Sequence, residues 1–178
     1  MGSDINNYIF KALENYPYDL DEVMEALNYA LSYDEKNTMA LTLMGRMYAE
    51  KLYKYEEAIQ FFKDALAVNI YAFEAYLPYI NTLLWNEDYK DVEEFIDFAL
   101  TVKGSDKAVL YLKKAVLHDQ LKDYKKALAF VKLAKQHTYN AEFMENVKEE
   151  KDRIKGKMPK KKKVEAVKKD KKEKKKKK

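Results

Sequence analysis

Residues 38–71 read TMALTLMGRMYAEKLYKYEEAIQFFKDALAVNIY, and their spacing decides the fold. Leu41, Met44, Gly45 and Tyr48 recur at three- and four-residue intervals, which places them on one face of a helix. A polar stretch around Tyr53-Lys54-Tyr55 interrupts that stripe, and Ala58, Phe62, Ala65 and Leu66 make a second one. Small residues at Gly45, Ala58 and Ala65 allow two helices to approach closely, while the large residues fill the space between them. The segment is two short amphipathic helices joined by a turn.

The same scheme returns on both sides of this segment. Ala30-Leu31, Ala65-Leu66, Ala99-Leu100 and Ala134-Lys135 follow one another at spacings of 35, 34 and 35 residues. Seven positions before each lies another small or β-branched residue: Val23, Ala58, Val92 and Ala127. Tyr76, Tyr79, Leu83, Tyr89, Val92, Ile96 and Ala99 fill the pattern in residues 73–100. Tyr111, Ala115, Tyr124, Ala127, Val131 and Ala134 fill it in residues 108–134. A helix pair of this length cannot bury both faces alone, so units of this period must stack. The expected fold is all-α: stacked antiparallel helix pairs over about residues 4–37, 38–72, 73–106 and 107–140. Pro78 is expected within the first two turns of its helix, with a bend there. Asn140 then reads as the N-cap of one more helix, residues 141–156, with Phe143, Val147 and Ile154 on its apolar side. Such a helix would cap the array, with Gly156 and Pro159 ending it.

Composition agrees with this reading. In 178 residues there are four Gly and three Pro, too few turn signals for a sheet protein of this size. The absence of Cys excludes disulfides, thiolate metal sites and cysteine nucleophiles. No early apolar run has the character of a signal peptide and none approaches a membrane span, so the expected location is cytoplasmic, or nuclear in a eukaryotic host. The charge is divided unevenly. Residues 157–178 hold 14 Lys against Glu165, Asp170 and Glu173, a net of 14 − 3 = +11. The preceding 156 residues hold 20 basic and 27 acidic groups, a net of −7.

The pattern of the paired helices resembles the tetratricopeptide repeat (TPR). Tyr55-Glu56-Glu57-Ala58, Tyr89-Lys90-Asp91-Val92 and Tyr124-Lys125-Lys126-Ala127 are similar to the start of that family's second helix. The family's small residue in the first helix is matched by Gly45 and Ala115; Ile80 and Lys11 stand there in the other two units. The closing Pro is absent from all four units, where Glu35, Ile70, Gly104 and Tyr139 occur instead. The weakest match is residues 4–37, where less regular packing is expected. The resemblance implies a right-handed TPR-like α-solenoid that holds a peptide or helix in its concave groove.

The family's ligand-facing positions lie on the first helix of each unit. Carried across by register, they are Tyr8, Ala12, Asn15 and Tyr16; Thr42, Arg46, Ala49 and Glu50; Leu77, Asn81, Leu84 and Trp85; and Leu112, Val116, Asp119 and Gln120. Of these, Tyr8, Thr42, Arg46, Leu77, Asn81, Trp85, Leu112, Val116 and Asp119 are the candidate groove; the whole set mixes aromatic anchors, a cation and amides suited to a peptide. Trp85 has two readings, a groove anchor or a plug at the junction between units. Some family members grip a terminal carboxylate with Lys, Asn and Arg. The corresponding residues here are Thr42, Arg46, Pro78, Val109 and Lys113, which do not make that clamp.

Nothing in the sequence assembles a catalytic site, and no cofactor or metal is expected. His118 and His137, the only imidazoles, lie 19 residues apart, and the resemblance places His118 where the family has a core-facing aromatic, which implies a packed or half-buried histidine. The carboxylates at Glu87, Asp88, Asp91, Glu93, Glu94 and Asp97 read as a solvated helix face. The lysine-rich end has too little apolar content to order itself. Lys160, Lys161, Lys162 and Lys163 are its candidate anion-binding residues, with nonspecific attraction to polyanions as the chemistry. Three functions follow: a protein–protein adaptor, a nucleic-acid or ribonucleoprotein factor tethered by the tail, or a structural subunit of a larger assembly.

Overall fold

The computed structural model describes residues 2–159, with side chains from Asn6 onward. Among these residues there are nine α-helices and no strand: α1 (Gly2–Asn15), α2 (Leu20–Tyr33), α3 (Thr38–Glu50), α4 (Tyr55–Val68), α5 (Tyr76–Trp85), α6 (Tyr89–Thr101), α7 (Lys107–Gln120), α8 (Tyr124–Gln136) and α9 (Ala141–Lys157). Each helix packs against the next in chain order, so the chain rises as a stack of helix pairs with α9 laid on α8.

The starts and turns of the helices have local causes. The side chains of Asp19, Asn37, Asp106, Asp123 and Asn140 each accept a hydrogen bond from a backbone N–H in the first turn of the helix that follows. The turns inside three of the pairs share one backbone device at the repeat spacing: Tyr53, Glu87 and Lys122 adopt φ of 55°, 60° and 61°. At the latter two, the N–H groups of Asp88 and Asp123 reach back to the carbonyls of Leu83 and His118 at 2.9 and 2.8 Å. That is the left-handed closure of a helix end, here built without glycine.

Three apolar clusters run along the stack. The first joins α1, α2 and α3 through Ile9, Ala12, Val23, Leu27, Met44 and Met47. The second occupies the middle, from Ala49 to Leu117, and the third binds α7, α8 and α9 through Ala115, Val131, Val147 and Ile154. Tyr48 packs against both the first and the second. Gly45 sits where no side chain fits: a Cβ there would lie 2.8 Å from the ring of Phe62, which is itself fully buried.

One local expectation needs adjusting and another holds. In the first pair, Lys11 does not take the place of the small residue; it points outward and pairs with Glu22, and Ala12 is buried instead. The first helix is therefore one residue out of register with the others, which accounts for its weak match to the repeat pattern. Pro78 falls within the first two turns of its helix, as expected. A 3-10 turn at Phe73–Ala75 leads into α5, and Pro78 sits in the first turn of that helix, where a missing N–H costs nothing.

Candidate functional site on the first helices

The register positions on α1, α3, α5, α7 and α9 meet one another across the stack, and three polar links result. At the first, the phenol of Tyr16 donates a short hydrogen bond to Glu50, while Arg46 donates through Nε to the same carboxylate at 3.0 Å. The Arg46 guanidinium also stands 4.9 Å over the Tyr16 ring. Burial and the bond to Glu50 push the Tyr16 hydroxyl pKa well above its usual value. Burial alone would raise the Glu50 pKa, but the hydrogen bonds from Arg46 and Tyr16 outweigh it and hold the carboxyl below the ordinary range.

The second link joins α5 to α7. Lys113 donates to the side-chain oxygen of Asn81 at 2.7 Å, and burial lowers the pKa of its ammonium, partly opposed by Glu150. At the third, Asp119 on α7 receives Arg153 at 2.8 Å and Lys157 at 2.6 Å, both from α9. Asp119 is 4% exposed, so two cations matching one buried carboxylate lock α9 in place. None of the three links could be read from spacing alone, although Tyr16 and Glu50 are 34 residues apart, one repeat.

These links engage most of the polar candidates with partners inside the chain, while Arg46 and Asn81 stay half-exposed. Arg46, Asn81 and Asp119 are committed to partners within the chain. Thr42 is buried in α3, and its hydroxyl finds no hydrogen-bond partner among the described residues. Tyr8 stacks on Tyr29 and Tyr33 of α2, at 5.3 and 6.0 Å, as the shifted register of α1 dictates. Ala12, Ala49 and Leu84 are likewise buried.

What stays accessible is mostly apolar. Leu77 is exposed and borders a hollow with Phe73, Tyr76, Val109 and Leu110, between the starts of α5 and α7. Leu112 and Val116 on α7 are half-buried. The ring of Trp85 lies 6.1 Å from that of Tyr55 at the entry to α4, and 48% of the residue remains exposed.

Lys114, beside Lys113, is buried and pairs with Asp97 and Glu93 of α6. His118 lies one turn further on, stacked 5.1 Å from Phe130, with its Nε2 3.8 Å from Glu93. Burial lowers the imidazole pKa, with Glu93 opposing. Part of the acidic face of α6 thus serves to neutralise a buried lysine. Among the described residues, no group of three or more His, Asp or Glu side chains could hold a metal ion. None of their helices is long and apolar enough to cross a membrane. Lys160, Lys161, Lys162 and Lys163 lie outside the described residues.

With this geometry in hand, comparison with solved structures is informative about the fold. The crystal structure of MamA protein aligns with a TM-score of 0.65 at 17% identity, covering 86% of this chain and 87% of that one. The fold is a TPR-like α-solenoid. No protein-family model matches the sequence, and no curated protein matches it. At that identity the likeness speaks for the arrangement of helices and leaves the ligand to be argued from the side chains.

Proposed function

We propose that this chain is a non-enzymatic interaction scaffold that holds an apolar peptide segment or one face of a helix against its first helices. The observation that carries the reading is the division of labour on that face. Tyr16, Arg46, Glu50, Asn81, Lys113 and Asp119 are tied to partners across the stack, and Leu77, Trp85, Leu112 and Val116 remain exposed or half-exposed. Pre-arranged polar links hold the helices at fixed spacing, so little ordering is required when a ligand arrives. A large aromatic beside aliphatic side chains offers the contact area that dominates binding energy at protein interfaces. The ligand would be chosen by apolar side chains at helical or extended spacing, not by a terminal carboxylate.

Affinity capture from native lysate tests this with four proteins: the full chain, Trp85→Ala, Leu112→Asp, and a chain ending at Pro159. A protein partner held by the full and shortened chains, and lost by both substitutions at unchanged helicity, is the expected result. Capture by the full chain alone, abolished by nuclease or moderate salt, would move function to the lysine-rich end and refute the scaffold reading. Arg46→Glu is a poor probe, because it would break the Tyr16–Glu50 link and report on stability instead.

A further inference from the structure

The far end of the stack carries a second surface. Between α8 and α9 lies an open hollow of about 520 Å³ whose floor is Leu128, Val131, Met144 and Val147. Val131 and Val147 are buried; Leu128 and Met144 are half-buried and available for contact. Five lysines border this floor: Lys132 and Lys135 from α8, and Lys148, Lys151 and Lys155 from α9. Glu145 is the single carboxylate among the lining residues, and it pairs with Lys148 at 2.8 Å. Among the described residues, no carboxylate pairs with Lys132, Lys135, Lys151 or Lys155.

The hollow is distinct from the first-helix face. Arg153 and Lys157, on another side of α9, reach Asp119 of α7, and that anchorage turns the lysines at positions 148, 151 and 155 toward α8. In a stack of helix pairs, α9 occupies the place of a further first helix, and the hollow is where its second helix would lie. The lining residues run from Met144 to Lys155 along α9. At ~1.5 Å per residue this track is about 17 Å long, which a helix of about 12–14 residues would cover.

We propose that this hollow docks an acidic amphipathic helix of a partner protein, which completes the last pair of the stack. An apolar stripe on that helix would meet Leu128 and Met144, and Asp or Glu residues on either flank would meet the five lysines. Charge complementarity selects this occupant. The chain's own residues 160–178 are lysine-rich and carry the same sign as the rim, so they do not suit the hollow. A nucleic acid could meet the lysines through its phosphates alone and would leave the apolar floor of Leu128 and Met144 uncovered, since Leu, Val, Met and Lys offer no stacking or bidentate base contact. An apolar floor recessed between two helices suits a third helix, in the manner of helix-in-groove recognition.

The test uses the full chain and a fluorescent synthetic peptide of about 14 residues, with leucines at helical spacing and glutamates on both flanks. One control peptide has the same composition in scrambled order, and another replaces every Glu by Lys. The protein partner to wild type is the double variant Lys132→Glu/Lys151→Glu, both surface sites whose reversal spares the core. Saturable binding of the periodic acidic peptide is expected, weakened about tenfold or more by the double variant, which should in turn gain the Lys-flanked peptide. The lysine-rich tail is present in both proteins, so its attraction for acidic peptides cancels in that comparison. Equal binding of periodic and scrambled peptides, no effect of the double variant, or no saturable binding up to about 1 mM would each overturn the proposal. So would displacement of the peptide by vesicles containing phosphatidylserine or by single-stranded RNA with an affinity that tracks the same substitutions, since the hollow would then belong to a lipid surface or a nucleic acid.

Discussion

The α3/α4 and α5/α6 pairs solve one packing problem with opposite residues. In α3, Gly45 stands aside so that the ring of Phe62 from α4 can press against the helix backbone. In α5 the equivalent position is Ile80, fully buried, and α6 supplies Ile96 where α4 has Phe62. The α7/α8 pair strikes a third balance, with Ala115 and Val131 in one cluster. The repeat thus specifies where two helices must meet and leaves the division of volume between them open. What has to be kept is the sum across the interface, because the interior is close-packed and neither pair has slack.

Breaking the larger side of each pair should give the largest effects. Ile80→Ala leaves a cavity in the central cluster and is expected to cost about 2–5 kcal/mol, read as a lowered urea midpoint with an unchanged slope. Gly45→Ala acts in the opposite sense. Overpacking against a ring that cannot retreat costs about 1–3 kcal/mol, and alanine's better helix preference returns ~1 kcal/mol of it. A net destabilisation on the order of 1 kcal/mol is expected in the same denaturation experiment. Phe62→Leu should itself destabilise, but combined with Gly45→Ala the loss should be smaller than the sum of the two single losses, because leucine leaves room for the new methyl group. Strict additivity would show that Gly45 answers to something other than the Phe62 ring.

The same comparison explains how much of the molecule was legible in its sequence. Small and large residues at positions such as Ala58, Phe62 and Ala65 give the helices, their pairing and the stack, because burial at a 3.6-residue period is a local signal. The N-cap at Asn140 was legible for the same reason: its side chain satisfies a backbone group three residues away. Register in the first pair was not, because Lys11 and Ala12 are adjacent and only packing decides which one turns inward. The face of the first helices was legible as positions but not as chemistry. Asp119 looks like a ligand contact until α9 brings Arg153 and Lys157 to it from 34 and 38 residues away. The lysine rim is not legible in the sequence, because Lys148, Lys151 and Lys155 become the border of a hollow only once α8 packs beside them.

A smaller effect separates α7 from α5. The position that holds Leu83 in α5, fully buried, holds His118 in α7, 4% exposed. The imidazole faces Glu93 from α6, stacks on Phe130 of α8, and has Lys114, Asp123 and Lys126 nearby. Burial holds its pKa below the ordinary 6.5, with Glu93 opposing and the two lysines adding to the depression. In this range the unfolded chain takes up a proton more readily than the folded one, so His118 contributes stability above pH 6.5 that is lost as the pH falls through its folded value. Thermal unfolding should therefore show a midpoint a few degrees lower at mildly acidic pH than at neutral pH, beyond the change caused by carboxylates. His118→Leu, which copies the residue of α5, should remove that part of the dependence while leaving the midpoint at neutral pH nearly unchanged, because the imidazole Nε2 has no hydrogen-bond partner among the described residues to lose. If the variant keeps the same acid sensitivity, the groups around His118 compensate its charge, and the two units differ in shape alone.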